Sequence, residues 1–480
     1  MSKKSVLIIG GGVAGFAAGI YALKNGCDAA ILEQHKIAGG NLTGWNRKGC
    51  HIDNCIHWLT GTNKHSDGYP IWKDTGVLDD DTEIVKPEAL FSYRVGDKTL
   101  SLYRNLKDTV NEMLQISPED RKEIKRFERI VKKAMFFSNV GGENNDKALN
   151  LGRLFSLAAP MIRFHLMTCG DYGKRFHHPL LQGFFSCLTG PDFSMMAFVL
   201  TAANFCAGNA DLPKGGSMPT AQRMLKRFKE LGGTFIPGVK VAKINTYKNL
   251  ILSVEDEAGK LYEADEYIST IDPKMLFGKL INIKMPKRLS KIYKDEEHRR
   301  FSFLHAAFMV PKDKLRFKGT VIFDTPEACY GTVRGDKIIA KEFSYEEKSA
   351  PAGYTVVQLM SYIYEDECKK WIQAYKMPAR YEEMKSLLAN AFSFALTQQY
   401  PELKDSMELL DVWTPASYVR YVGSEIGSFM SFTMPAKKIP KVISGKVRAL
   451  KNLHMATQWQ IAPGGLPIAA KVGKLAAKKL

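Results

Sequence analysis

The chain has 480 residues, of which 45% are hydrophobic and 25% charged, and its formal net charge is +18. The composition is that of an ordinary globular protein, and the length predicts two or three lobes rather than one core. The charge predicts attraction to anions and is uneven, because region 426–480 holds ten Lys and Arg and no Asp or Glu. No zinc-finger or RNP pattern occurs, so we do not expect the protein to bind nucleic acid. We expect the basic region to contact a membrane surface instead, and the alternative is a basic face that is simply exposed to solvent.

The cysteines and the apolar runs exclude several further classes of protein. The eight cysteines form no Cys-x-x-Cys pair, which disfavours a structural zinc site or a thioredoxin-like redox pair, and we expect no metal. The first residues contain too short an apolar run for a signal peptide, and the longest apolar run, 195–208, is too short and polar to span a membrane. We therefore expect a cytoplasmic protein with reduced thiols, placed peripherally on the inner face of the membrane.

The N-terminus predicts a β-α-β unit that binds a dinucleotide. A short apolar strand precedes glycines in G-x-G-x-x-G spacing, and a helix and a second strand follow, ending at Glu33. Gly10 permits the tight turn, Gly12 lets the backbone approach a pyrophosphate, and Gly15 permits close packing of helix on strand. The helix N-terminus attracts the pyrophosphate, and Glu33 accepts hydrogen bonds from the adenosine ribose. The alternative is a glycine turn without a ligand, which this context disfavours.

Further motifs follow in one order along the whole chain. They lie at residues 39–41, 53–61, 212–218, 264–273, 414–427 and 458–473. Together they resemble the FAD-dependent family of phytoene desaturases, carotenoid isomerases and retinol saturases, a branch of the amine oxidase flavoprotein superfamily. The sequence departs from this family at Asn41, where many members have arginine, at Asn54-Cys55, which replaces a small residue and glycine, and at Ile271, which replaces alanine.

The resemblance implies a fold, a cofactor and a set of site residues. The expected fold is α/β, with a doubly wound, glutathione-reductase-like FAD-binding domain and an inserted α+β substrate lobe. The FAD-binding parts are 1–99, 212–285 and 424–480, and the substrate lobe comprises 100–211 and 286–423. The cofactor is FAD, and beyond the N-terminal unit its expected contacts are Gly40, Asn41, Asp53, Val241, Thr270, Gly465 and Leu466.

The segments between the motifs predict their own elements. Ser217 is expected to cap a helix that ends at Gly232-Gly233, with an apolar stripe along one face. Residues 239–244, 250–254 and 261–268 predict three consecutive strands. A helix from Ile468 follows the closing glycines, and its N-terminus is expected to face the N1–C2=O edge of the flavin.

The inserted segments are rich in Phe, Met and Leu. Such stripes predict core packing or the wall of an apolar site. Segment 149–168 mixes apolar residues with Arg163 and His165, so it predicts a membrane-interface segment or an ordinary surface helix broken at Pro160. By the resemblance His57 lies near the flavin, where a histidine can move a proton near neutral pH; a structural histidine is the alternative.

These features predict an FAD-dependent oxidoreductase that acts on carbon–carbon double bonds of an apolar polyene or isoprenoid lipid. Desaturation, saturation and isomerisation stay open. The sequence contains one dinucleotide fingerprint and lacks the second one with which two-site flavoprotein reductases bind NAD(P)H. The external electron donor or acceptor is therefore unknown, unless the reaction involves no net redox change. The alternatives are an FAD-dependent amine oxidase and a non-catalytic flavin-binding membrane protein, whereas the motifs at 39–41 and 458–473 disfavour an NAD-dependent dehydrogenase.

Overall fold

The structure is a computed structural model that describes residues 3–138, 161–438 and 442–480. The strands, in chain order, are β1 Ser5–Ile9, β2 Asp28–Glu33, β3 Gly44–Arg47, β4 Cys50–Asp53, β5 Leu59–Thr60, β6 Ile84–Val85, β7 Ala89–Val95, β8 Lys98–Tyr103, β9 Ala210–Pro213, β10 Thr234–Pro237, β11 Val241–Tyr247, β12 Leu250–Asp256, β13 Leu261–Tyr262, β14 Glu266–Ser269, β15 Phe301–Pro311, β16 Thr320–Asp324, β17 Lys337–Glu342, β18 Tyr354–Tyr364, β19 Glu408–Trp413 and β20 Leu453–Met455. The α-helices are Val13–Lys24, Tyr69–Asp74, Leu106–Ile116, Arg121–Ser138, Cys169–Gly173, Pro179–Phe184, Met195–Cys206, Ser217–Glu230, Pro273–Met275, Lys287–Tyr293, Glu365–Ala374, Pro378–Gln399, Pro415–Val422 and Leu466–Ala477.

A five-stranded parallel sheet forms the first layer, in the order β10-β2-β1-β14-β20. Its central strand β1 is buried on both faces, as its uninterrupted apolar sequence predicts. Because all five strands are parallel, their carboxyl ends lie at one edge, where ligands of doubly wound sheets bind. The predicted α/β fold class is confirmed.

The first and last helices pack side by side on this sheet. A Cβ on Gly473 would lie 2.5 Å from the Ala14 carbonyl oxygen, so glycine is needed for this close approach. The Asn25 side chain, at the end of helix Val13–Lys24, donates to the Ala477 carbonyl, at the end of helix Leu466–Ala477. The two helices therefore run in the same direction, and both N-termini point to the carboxyl edge of the sheet.

The predicted strand meander is present, with one correction. Strands β11, β12 and β13 form an antiparallel sheet, but the strand predicted at 261–268 is two strands, and the second, β14, joins the parallel sheet beside β1. Between them the Asp265 carboxylate accepts hydrogen bonds from the Ser5 backbone N–H and hydroxyl, at 2.7 and 2.8 Å. This contact with β1 separates the two strands.

Helix Ser217–Glu230 ends where the glycines predict, but Ser217 does not cap it. Gly216, with φ of 72°, is the N-cap, and Ser217 lies inside the first turn. The Ser217 hydroxyl instead donates to the Asp53 carboxylate at 2.6 Å. The prediction failed because serine at a helix start indicates a cap, whereas here the acceptor comes from another part of the chain.

A seven-stranded sheet, in the order β19-β15-β18-β17-β16-β7-β8, forms the second layer. Helices Arg121–Ser138, Pro179–Phe184 and Met195–Cys206 pack near it around a buried aromatic core, for example with Phe127 and Phe185 at a 5.3 Å centroid distance. Most of the described Phe and Leu stripe residues therefore serve core packing. The proposed boundary at residue 100 falls within β8, and β7 belongs to this sheet too; the division into domains stays a proposal.

Some predictions fall partly outside the described residues. The apolar residues at 149–157 and Pro160 lie outside them, whereas Ile162 and Leu166 are described and are 58% and 48% exposed.

Over residues 3–138, 161–438 and 442–480, no helix has both the length and the apolarity to cross a membrane. Within the same ranges no cluster of His, Cys, Asp and Glu suits a metal ion, and all eight cysteines are free thiols.

Candidate functional site

Two helix N-termini face the carboxyl edge of the parallel sheet without capping side chains. Gly12 is the N-cap of helix Val13–Lys24 and Gly465 is the N-cap of helix Leu466–Ala477, so neither cap has a side chain that accepts from the first turn, and neither first turn contains an acidic residue. The N–H groups of a first helical turn have no intrahelical acceptor, and the helix dipole adds partial positive charge. Each N-terminus therefore favours negative charge, but Gly473 and not Leu466 packs on Ala14, so the two N-termini are separate positions along the edge of the site.

The predicted glycines have distinct roles at this edge. A Cβ on Gly15 would lie 2.0 Å from the Gly10 carbonyl oxygen, and one on Gly10 would lie 2.5 Å from the Thr270 hydroxyl, so both positions require glycine for packing. A Cβ on Gly12 would meet no described atom closer than the Gly39 carbonyl oxygen at 3.7 Å. The Gly39-Gly40 turn packs against the Gly12 turn, since the Gly39 N–H donates to the Gly11 carbonyl at 2.8 Å. The candidate ligand gap is therefore the region in front of these two turns, at the carboxyl edge of the sheet, and not the space between them.

The Glu33 carboxylate lies beside this gap and is 6% exposed. One oxygen accepts from the Gly11 N–H at 2.7 Å and the other from the His35 N–H at 2.9 Å, which fixes the carboxylate and leaves lone pairs for ribose hydroxyls. The Glu33 carbonyl accepts from Val239, two residues before Val241, so β11 starts next to Glu33. The geometry fits an adenosine at this end of the gap.

Asn41 lies at the other end of the gap. Its side-chain amide donates to the Phe429 carbonyl at 3.2 Å, and its Oδ1 is buried with no partner among the described residues. The Phe429 carbonyl also accepts from Gln458, whose Oε1 accepts from the Gly465 N–H. Asn41 therefore brings no charge to this end of the gap, and its unpaired Oδ1 is buried among protein atoms.

Asp53 and Thr270 are committed to other parts of the protein. The Asp53 carboxylate, 8% exposed, accepts from the N–H and hydroxyl of Ser217 and from the N–H groups of Cys55 and Ile56. The Thr270 hydroxyl lies within hydrogen-bond distance of the carbonyl that ends β1, at 2.8 Å. Both side chains position the loops of the site, and their predicted contact with the cofactor stays a prediction.

His57 lies on the loop after Asp53, and Lys341 contacts this loop. The Lys341 ammonium, 2% exposed, donates to the carbonyls of Ile56 at 2.9 Å and His57 at 3.3 Å. Burial lowers the pKa of His57 to about 3, and the charge of Lys341 contributes to the shift. Burial also lowers the pKa of Lys341 to about 8. His57 is therefore neutral near pH 7, which counts against a role in proton transfer.

Sequence reasoning missed Lys341, although a lysine inside the apolar strand β17 is a signal for a buried charge.

It also missed an aromatic cluster that spans both layers. The Phe303 ring stacks on Phe429 at 4.7 Å and lies 4.2 Å from Tyr362, while Phe301 lies 5.5 Å from Phe429. Phe429 and Tyr362 are only half-buried. An apolar surface thus lies directly beside the Asn41 end of the gap.

A separate cavity of about 730 Å³ lies on the Asp53 side of the same loop. Its lining includes Asp53 and Ile56, the Gly215-Gly216 turn and the aromatic residues Phe343 and Tyr345. The acidic side chains of its rim are Asp79, Asp81, Glu83, Glu346 and Glu347. The cavity shows that the Asp53–His57 loop has open space next to it.

Comparison with known proteins agrees with this geometry. Residues 8–75 match the family model of the NAD(P)-binding Rossmann-like domain. The chain is 22% identical to 4,4'-diaponeurosporene oxygenase of Staphylococcus aureus strain MW2, over 99% of this chain and 98% of that protein. A solved oxidoreductase from Methanosarcina mazei matches with a TM-score of 0.64 and 14% identity, over 99% of this chain and all of that one. Putrescine oxidase bound to putrescine matches with a TM-score of 0.60 and 15% identity, over 100% and 99% of the two chains.

The fold and the site define a protein built on a dinucleotide-binding, Rossmann-like sheet. Over its whole length the chain resembles solved oxidoreductases, putrescine oxidase among them, in fold and 4,4'-diaponeurosporene oxygenase in sequence. The predicted resemblance to the amine oxidase flavoprotein superfamily is confirmed at the level of the fold.

Proposed function

We propose that this protein is an FAD-dependent oxidoreductase that acts on carbon–carbon double bonds of an apolar polyene or isoprenoid lipid. The observation that carries the proposal is the half-buried aromatic surface of Tyr362 and Phe429, which lies beside the Asn41 end of the cofactor gap. Apolar and aromatic walls bind lipophilic ligands by removing their surface from water. The name of the relative 4,4'-diaponeurosporene oxygenase supports the same substrate class.

We assign the cofactor contacts by the geometry of the gap. Gly12 faces the diphosphate, Glu33 faces the adenosine ribose, and the N–H groups around Leu466 face the N1–C2=O edge of the flavin, with Asn41 next to the cofactor. Bound FAD supplies hydride transfer, while the protein positions the substrate and excludes water. Lys341 holds the carbonyls of the loop that carries His57, and so fixes that loop against the site.

An FAD-dependent amine oxidase is the second candidate. The solved structures of putrescine oxidase and cyclohexylamine oxidase from Brevibacterium oxydans IH-35A share the fold, the latter with a TM-score of 0.56 and 14% identity over 100% and 98% of the chains. The aromatic cluster also suits an organic cation, since ring faces attract ammonium groups. The two candidates therefore differ in the substrate and not in the cofactor.

The deciding experiment is anaerobic titration of the purified holoprotein with an acyclic polyene hydrocarbon in detergent micelles and, separately, with putrescine. Bleaching of the flavin absorbance by the polyene supports desaturation, and reoxidation of chemically reduced flavin by the polyene supports saturation. Isomerisation leaves the flavin spectrum unchanged but alters the polyene isomers seen by chromatography. Bleaching by putrescine alone supports the amine oxidase, and no change in any arm refutes both candidates in favour of a non-catalytic flavin protein.

We propose that residues 1–99, 212–285 and 424–480 are the FAD-binding parts of the chain.

We also propose that the protein binds peripherally to the cytoplasmic face of the membrane. The support is the acid-free basic region 426–480 and the apolar substrate expected. Exposed Ile162 and Leu166 flank Arg163, which suits an interface between apolar chains and acidic headgroups.

A further inference from the structure

Three segments that are distant in the sequence meet on one side of the protein. The Lys437 N–H donates to the His165 carbonyl at 3.0 Å, and the Ser194 N–H donates to the Met434 carbonyl at 2.8 Å. These backbone hydrogen bonds fix the segments side by side. The segments are 161–168, the start of helix Met195–Cys206 and 431–438.

The first of these segments presents two aliphatic side chains to solvent. The Leu166 N–H donates to the Ile162 carbonyl at 2.9 Å, so the two side chains lie one helical turn apart on the same side. They are 48% and 58% exposed. Phe164, on the opposite side of the turn, is 2% exposed, and its ring centroid lies 5.3 Å from that of Tyr172. The turn is therefore anchored by Phe164, while Ile162 and Leu166 remain without an apolar neighbour over much of their surface.

The charges around these two side chains are all positive. Segments 161–168 and 431–438 contain three Lys and Arg and no Asp or Glu. Lys438 forms an ion pair with Asp295, whereas Arg163 and Lys437 are exposed. A surface of aliphatic side chains among cations matches a bilayer with acidic headgroups, because the apolar groups enter the acyl boundary while the cations meet the phosphates. We call Ile162, Arg163, Leu166 and Lys437 the docking face.

A second group of exposed apolar side chains differs in its charges. On the three-stranded antiparallel sheet Leu250 and Leu252 are 42% and 54% exposed, which is close to the exposure of Ile162 and Leu166. Region 241–263, which forms this sheet, holds four Asp and Glu and three Lys. Its carboxylates are repelled by acidic headgroups, so equal apolar exposure there does not suit the same partner.

The docking face is connected with the aromatic surface of the proposed substrate site. Lys437 lies eight residues after Phe429, so at most about 29 Å of chain separates them. Apolar contacts follow the same direction. Phe193, directly before Ser194, lies 6.0 Å from Phe301, which lies 5.5 Å from Phe429.

We propose that the docking face binds the surface of an anionic lipid bilayer, which places the aromatic surface of the substrate site on the membrane side of the protein. The proposal rests on the proposed peripheral binding and names the surface that performs it. A lipophilic substrate then leaves the bilayer close to its site and does not cross bulk water.

The first test is sedimentation of the full-length holoprotein with vesicles of phosphatidylglycerol and phosphatidylcholine, without substrate. The double variant Ile162→Ser, Leu166→Ser should bind these vesicles roughly tenfold more weakly, because about half of each side chain is available for burial. Arg163→Gln and Lys437→Gln should each weaken binding about fivefold on these vesicles and have little effect on pure phosphatidylcholine. The matched control is the double variant Leu250→Ser, Leu252→Ser, which should bind like the wild type.

The second test is amide hydrogen exchange of the wild-type holoprotein with and without the same vesicles. We expect slower exchange in 161–168 and 431–438 and unchanged exchange in 250–262. Unchanged binding of the docking-face variants, or weakened binding of the control, overturns the docking face while peripheral binding itself stands. A wild type that binds no vesicles overturns both proposals. Protection of the docking face that depends on protein concentration and not on vesicles assigns it to a second copy of the chain and also overturns the proposal. Neither test measures turnover, so an error in the proposed reaction does not affect the result.

Discussion

Gly12 and Gly15 lie three residues apart, but the same substitution should change different properties of the protein. Gly15→Ala should lower the stability of the fold, whereas Gly12→Ala should weaken the binding of FAD. A methyl group at Gly15 would overlap the Gly10 carbonyl at 2.0 Å, so Gly15→Ala should destabilise the fold by roughly 1–3 kcal/mol or more. A methyl group at Gly12 meets its nearest described neighbour at 3.7 Å, and the φ of Gly12 is an ordinary −86°, so the folded protein without FAD should lose less than about 1 kcal/mol. The methyl would instead occupy the space that the diphosphate needs.

The assay compares both variants by bound FAD and by urea unfolding with and without added FAD. A ligand at about one hundred times its dissociation constant adds about 2.7 kcal/mol to the stability of the wild type. Gly12→Ala should lose about 0.9 to 2.4 kcal/mol of this increment, because crowding of about 1–3 kcal/mol weakens binding roughly 5- to 150-fold. Full retention of FAD by Gly12→Ala, or normal stability of Gly15→Ala, would refute this account of the glycines.

Three further predictions concern pH, catalysis and membranes. The folded pKa of Lys341 is about 8 and its ordinary value is 10.5, so between these values the unfolded chain binds more protons and stability rises with pH. Lys341→Met should lack this rise of about 1.4 kcal/mol per pH unit, measured by urea unfolding of both proteins at several pH values; parallel curves would contradict it. The variant His57→Ala should keep its FAD. Because the pKa of His57 is about 3, the pH–rate profile of this variant between pH 5 and 8 should match that of the wild type. A rate that falls by 10²-fold or more while the flavin spectrum stays intact would instead establish acid–base catalysis by His57. The protein should sediment with anionic vesicles at low salt and less at high salt, and equal binding to neutral vesicles would argue against electrostatic attraction.

Local sequence determined the cofactor-binding unit, because its signals are short-range. The strand, the glycine spacing and Glu33 lie within one β-α-β unit, and each glycine has a backbone reason that neighbouring residues reveal. The meander and the closing helix followed from apolar periodicity and turn residues in the same way. The order of the motifs along the chain supplied the fold class.

Tertiary structure decided the roles that depend on distant partners. Asp53 is 164 residues from Ser217 and Lys341 is 285 residues from Ile56, and no local pattern indicates either hydrogen bond. The strand predicted at 261–268 was divided because its second half pairs with β1, near the other end of the chain. The sequence left His57 open between a structural and a catalytic histidine, and the lowered pKa caused by burial and by Lys341 depends on the folded structure, while its role stays a prediction.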